Sequence, residues 1–371
     1  MWLLNRGLSA AHSRESGNPG LRVLQAWVPA FAGTSGKRGA IGAIAMLLSC
    51  TTAHADAVVD FYKGKTVTLV TSGEPGGAHA TYAQMLAPYF RRHMPGNPNV
   101  VIQHMAGTGG NLAPNHLYNV SPKDGTFIGH PLQDLIFNAR IGIAAVKYDA
   151  SKVHYLGGAD VTRTTISVWK ASGIHTLEDA KQREVLMGAS GRSGQTYIIP
   201  MTLNAVLGTK FKPVVGYGGI NLINLAMERG EIHSQAASWP TITATKREWV
   251  EKDLIANLVF VAMERQPELP NVPALAELVK SDDFALVRLL AGPAALGRSW
   301  IAIGDIPKDR LAALREAYRK AITDPTFLAE MKKRDLPVNP VPWQEQQKLA
   351  EAILGTSDAT VVRLKDILGL K

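Results

Sequence analysis

At 371 residues, 46% hydrophobic and 19% charged, the chain is long enough for two domains, each with its own core. The formal balance of +9 is not gathered into a Lys/Arg run interleaved with aromatics, which argues against a nucleic-acid partner. Cys50 is the single cysteine, and no later apolar run has membrane-spanning length; disulfides, a zinc–cysteine site and a helix crossing a bilayer are therefore not expected in the body of the protein.

The first 55 residues read as a segment to be removed. Met1–Ser35 has no clean periodicity and resembles translated dispersed-repeat DNA more than a domain. Lys37-Arg38 is a short basic region, Ala40–Cys50 an apolar run too short to span a bilayer, and Ala53-His54-Ala55 an A-x-A cleavage signal. The mature chain is thus expected to begin at Asp56, after cleavage at Ala55, and to reside in the periplasm. Losing five Lys/Arg and one acid takes the 40 basic and 31 acidic residues to 35 and 30, a mild +5 that suits a small anionic ligand. One alternative stays open: Leu47-Leu48-Ser49-Cys50 loosely resembles a lipobox, which would make Cys50 a lipid-anchored N-terminus.

The mature chain opens on a β-branched run (Thr66, Val67, Thr68, Val70), breaks at Gly73-Glu74-Pro75-Gly76-Gly77, and becomes helical in pattern from Ala78 to His93. The order recurs at Val100–Ile102, with the loop Ala106–Asn111 and a helix through Tyr118. Strands follow at Gly125–His130, Val153–Gly158 and Thr164–Trp169. A second α/β series then runs through a helix at Leu177–Arg183, a strand at Glu184–Ala189, the loop Gly188–Gly194 and a helix at Thr196–Leu207. It continues with a strand at Phe211–Val215, the loop Gly216–Gly219, a helix at Leu222–Arg229, and strands at Ile232–Ala237 and Leu258–Met263. Beyond Pro267 the pattern is mostly helical (Ala274–Lys280, Leu311–Ile322, Thr326–Arg334, Gln344–Leu354) apart from a short strand at Ser299–Ile303, and these helices are expected to fold back over the first lobe.

Such alternation predicts an α/β fold of two lobes with a ligand cleft between them. The expected division is 56–170 with 264–371 for the first lobe and 171–263 for the second. Gly76-Gly77 and Gly109-Gly110 let backbone approach a ligand closely, and the helix behind each carries a partial positive charge at its N-terminus. Two such ends suit a carboxylate. Neither loop is a P-loop or a dinucleotide fingerprint, and Gly188-Ala189-Ser190-Gly191 is not a nucleophile elbow because Arg192 stands where glycine is required. His79, His104 and His116 lack metal-ligand spacing; one is expected near the ligand and two as structural residues. Ser190, Ser193 and Thr196 offer hydroxyls to ligand oxygens or cap the helix that follows, with capping favoured for Thr196. Arg192 is the best charged candidate for pairing with a carboxylate, and Tyr217 lines the cleft or packs at the hinge.

At these loops the chain resembles the periplasmic solute receptors of tripartite tricarboxylate transporters, the TctC or Bug family. The resemblance spans nearly the whole mature chain. Its motifs are Pro75-Gly76-Gly77 between strand and helix, Gly107-Thr108-Gly109-Gly110-Asn111, Pro122-Lys123-Asp124-Gly125-Thr126 and Leu177-Glu178-Asp179-Ala180. The Gly188–Gly194 loop, Glu228-Arg229-Gly230-Glu231 and Leu269–Glu277 (LPNVPALAE) complete the series in order. The resemblance implies the type II periplasmic-binding-protein architecture, a small carboxylate as ligand, a two-component membrane permease as partner, and a monomer without cofactor or catalysis. It further implies that Pro75–Gly77 with the adjoining Ala78 and His79, and Gly107–Asn111, hold the carboxylate through backbone N–H groups and bridging waters. Two positions depart from the family pattern: Ala80, where an Asp is usual, and Arg192, where a small apolar residue is usual. Together they favour a second anionic group on the ligand. The competing readings are a ligand-presenting partner of a sensor kinase and an exported α/β enzyme. The enzyme would need a nucleophile–base pair or a metal set that the sequence does not display.

Overall fold

The computed structural model describes residues 57–370; the cleavage signal, Cys50 and Asp56 lie outside them. A short helical turn at 57–62 precedes the first strand. Ten strands form two mixed five-stranded sheets. The first holds β1 (Thr66–Thr71), β2 (Asn99–His104), β3 (Phe127–His130), β4 (Val153–Gly158) and β10 (Ser299–Ile303), in the order β2-β1-β3-β10-β4. The second holds β5 (Thr164–Trp169), β6 (Val185–Ala189), β7 (Phe211–Val215), β8 (Ser234–Ser238) and β9 (Ile255–Phe260), in the order β7-β6-β8-β5-β9.

The two orders are the same pattern. In each sheet three adjacent strands at one side run parallel (β1 with β2 and β3; β6 with β7 and β8), while β10 and β5 run antiparallel to their neighbours. Each antiparallel strand is the one the chain lays down on arriving from the other sheet. The crossings are residues 159–163 and 261–298. They lie side by side: the Ala159 N–H donates to the Arg298 carbonyl (3.1 Å) and the Thr162 N–H to the Ala294 carbonyl (2.9 Å).

β5 corrects the expected division at residue 170. The strand itself forms where the β-branched run Thr164–Trp169 predicts, but it pairs with β8 and β9 in the second sheet. Those partners lie far downstream, so no local pattern announces them. The last helix is a second correction. Asp358–Leu368, with a Ser357 N-cap whose hydroxyl accepts from the Thr360 N–H, packs on Gln195–Leu207 of the second lobe, whereas Lys308–Ile322 and Pro325–Lys333 pack on Ala78–His93 of the first, as expected.

One apolar cluster runs through both lobes. It joins Leu117 and Phe137 to Val168, Met187 and Leu203 by way of Leu286, Leu290 and Ile353. A second cluster fills the other face of the first sheet, where Trp300 on β10 (1% exposed) sits between Phe90 and Tyr318, with ring centroids 5.1 and 5.5 Å away. Trp300 therefore ties the antiparallel strand to two helices. Trp300→Ala should lower stability by about 3–5 kcal/mol, measured as a reduced urea midpoint at unchanged slope.

Candidate functional site

The carboxyl ends of β1, β2 and β3 and those of β6, β7 and β8 face one another across a cleft with a cavity of about 380 Å³, within the range that holds a small organic ligand. Because β10 runs antiparallel to β3, its N-terminal end also opens on this cleft.

Of the residues singled out in the sequence, Gly77, His79, Thr108, Gly109 and Gly110 line the cavity from the first lobe, and Ser190 and Tyr217 from the second. Pro75 and Gly76 are exposed and stand outside the lining. Ala78 opens the helix Ala78–His93, and its side chain lies outside what the structure describes. Asn111 is buried and its amide donates to the Thr108 carbonyl (3.0 Å), bracing the loop from behind. Ser193 also stands outside the lining; its hydroxyl donates to the same carbonyl across the cleft (3.4 Å). Arg192 points away as an exposed side chain that does not line the cavity. Its loop presents its small residues to the cleft and leaves the long one in water. Thr196 does not cap the helix as favoured: the N-cap of Gln195–Leu207 is Gly194, with no side-chain hydrogen bond. Its hydroxyl instead accepts from the Ser190 N–H (3.1 Å), closing the loop, and the residue lines the cavity.

Two of the four glycine loops are engaged by the protein's own acids. Glu74 of the first lobe accepts a hydrogen bond from the Asn221 N–H (3.4 Å), in the first turn of Ile220–Glu228. Gly219 leaves room for that contact, since a Cβ there would displace the Glu74 carboxylate. Gly109 plays the matching part opposite, where a Cβ would meet the Ser193 hydroxyl. Asp134, 4% exposed, lies near the backbone N–H of Gln195 at the start of Gln195–Leu207, whose pull opposes the rise that burial gives its pKa. Carboxyls of one lobe thus stand at helix starts of the other, which complements the helix dipole.

His79 lies flat on His130, with centroids 3.8 Å apart and planes within 8°. His130 sets Nδ1 against the Ser299 carbonyl (2.8 Å) and Nε2 against the His79 carbonyl (3.1 Å). A neutral ring can donate to only one of them at a time. Burial, with Arg298 nearby, nevertheless holds its pKa down to about 4, and burial, His130 and Arg298 push His79 well below the ordinary value. His104 donates from Nδ1 to the Gly73 carbonyl (2.9 Å), while His116 sits on the helix Leu112–Asn119. Among the described residues no three His, Cys, Asp or Glu side chains could hold a metal ion.

The sequence reading missed the cation that the cavity holds beside the acids Glu74 and Asp134. Arg298, at the end of the second crossing and immediately before β10, lines it while 3% exposed. Gly297-Arg298-Ser299 before the wholly buried strand Ser299–Ile303 is the only local signal. Nothing near it in sequence marks the crossing as the cleft floor.

No family model and no curated protein matches the sequence. Solved structures do. The periplasmic binding protein BugD superposes with a TM-score of 0.63 at 16% identity, over 84% of this chain and 99% of its own. Rpa4515 of R. palustris, solved with adipate, gives 0.61 at 19% identity, over 82% and 97%. MatC (Rpa3494) from Rhodopseudomonas palustris, with bound malate, gives 0.60 at 18% identity, over 82% and 99%. The fold is therefore the two-lobe α/β architecture of the periplasmic binding proteins. Receptors of the Bug and TctC type, anticipated from the loop motifs, are among its structural neighbours.

Burial raises the Asp134 carboxyl to about 7, against the pull of the Gln195 N–H. Between 3.8, the ordinary value, and that point the folded chain binds more protons than the unfolded one, so this group's contribution to stability falls as pH rises and levels off above it. His130 acts in the opposite sense, its contribution being lost as pH falls from 6.5 toward 4. Asp134→Asn should therefore match the wild type near pH 4 and exceed it by about 2–4 kcal/mol at pH 8, read from urea unfolding at the two pH values.

Proposed function

We propose that the mature protein is an exported solute receptor that captures a small organic carboxylate in the interlobe cleft and delivers it to a two-component permease of the tripartite tricarboxylate type. The observation that carries this reading is the cleft itself: a cavity of about 380 Å³ between two lobes, lined by glycine loops and by one buried arginine. Lobes that already meet across it through Glu74–Asn221 and Ser193–Thr108 suit closure around a small molecule. Adipate in Rpa4515 and malate in MatC are carboxylates held by proteins of the same fold. The lining supports binding rather than chemistry: its serine and threonine hydroxyls include Ser190, hydrogen-bonded to Thr196 (3.3 Å) rather than to a base.

A thermal-shift screen of Asp56–Lys371, refolded to strip carried-over ligand, tests the reading with mono-, di- and tricarboxylates, acidic amino acids and aromatic acids. A bound acid at a hundredfold above its Kd should add about 2.7 kcal/mol, a shift of several degrees. A panel without any shift would sink the carboxylate reading while leaving the fold untouched. Because Arg192 is exposed and outside the cavity, Arg192→Ala should leave the Kd of the best acid within about threefold. A loss beyond tenfold would return that side chain to the site.

A further inference from the structure

The guanidinium of Arg298 is a buried charge with no counter-ion of its own. Among the described residues it makes no ion pair. One Nη donates to the Thr241 hydroxyl (3.1 Å) on the second lobe. The guanidinium carbon lies 4.4 Å from the centre of the Tyr82 ring on the first. Nε is buried without a partner. Asp160 is the acid whose field reaches it, but its Oδ1 takes the Asn339 amide (2.8 Å) and its Oδ2 is likewise unpartnered. The two side chains do not close on each other.

The backbone reinforces the point. Arg298 has φ 54°, a left-handed conformation that is costly for a long side chain. It is held there by the paired crossings, through the Ala159 N–H on its carbonyl. A charge taken out of water is expensive unless it is paired, and this one is placed by a strained residue at the wall of a cavity.

We propose that Arg298 is the anchoring cation of the cleft, and that its free donors take a carboxylate of the bound solute while Tyr82 and Thr241 fix the plane of the fork. The inference rests on the carboxylate-receptor reading and sharpens it: the anion is held by a side chain at the hinge, in contact with both lobes, rather than by backbone N–H groups alone. A carboxylate placed against the Nη end neutralises the buried charge. It does so at the point where the two lobes join, so binding and closure are one event. An arginine suits this position better than a lysine, because its planar fork can meet a carboxylate through two parallel bonds.

Isothermal titration of the mature chain separates the possibilities, using three acids and their neutral amides as probes: adipate and adipamide, malate and malamide, benzoate and benzamide. The same acids are titrated into Arg298→Gln and Arg298→Lys. The expected result is that at least one acid binds the wild type roughly a hundredfold more tightly than its amide. Arg298→Gln should lose roughly that factor, and Arg298→Lys roughly tenfold. If Arg298→Gln does not fold, Arg298→Lys decides: acid affinity equal to that of the wild type overturns the anchor. Equal affinity for acid and amide, or a folded Arg298→Gln that binds the acid as the wild type does, overturns the anchor and leaves the receptor reading in place. Failure of every acid on the wild type, in this set and in the wider screen, overturns both.

Discussion

Two chain crossings bonded side by side are the constraint on which the rest of this structure depends. The Ala159–Arg298 and Thr162–Ala294 hydrogen bonds hold residues 159–163 against the end of 261–298. Each crossing then delivers the antiparallel strand of a sheet, β5 on one side and β10 on the other. Because those strands run against their neighbours, both lobes turn the carboxyl ends of their parallel strands toward the same gap. Apolar packing stiffens the arrangement. The cluster that includes Phe137, Val168 and Leu290 belongs to neither lobe alone, so the joint is embedded in core rather than left as a bare linker.

The cleft that results is charged sparingly and by position. Glycine loops leave helix N-termini facing it, yet Glu74 and Asp134 already occupy the starts of two helices of the second lobe. What remains for a ligand is the first lobe's loops and the cation at the hinge. The same burial that suppresses ionisation of His79, His130 and Asp134 makes the region poor at carrying any charge that lacks a partner. A site of this kind discriminates by whether the incoming group completes it.

Much of this was legible in the residues. The β-branched run, glycine break and helical pattern of Thr66–His93 placed β1 before the break and its helix with its observed ends. The strands at Val153–Gly158, Thr164–Trp169 and Phe211–Val215 were equally local in their signals. What local pattern could not carry was pairing. Nothing in Thr164–Trp169 says that its neighbours are Ser234–Ser238 and Ile255–Phe260, and for that reason the lobe division fell one strand late. The site shows the same split. Glycines at Gly109 and Gly219 announce close approach through their own chemistry, whereas the approaching groups, Ser193 and Glu74, come from the other lobe. Arg192 looked favourable because its neighbours are small, whereas nothing in the residues around Arg298 drew attention to it. The burial of Arg298 comes from Tyr82 and Thr241 converging on it from the two lobes, which is tertiary information.

The placement of β10 has a consequence for how the chain assembles. All strands of the second sheet fall within residues 164–260, so that sheet can close from one continuous stretch. The first sheet cannot: β3 and β4 wait for a strand that follows the whole of the second lobe in sequence. Contacts of such long range are slow to form, and until they do the buried face of β3 and β4 lacks its central neighbour. The lobe that comes first in sequence is thereby the last to be finished. Its edge strands stand open to other partners in the interval, a vulnerability that the nested topology creates.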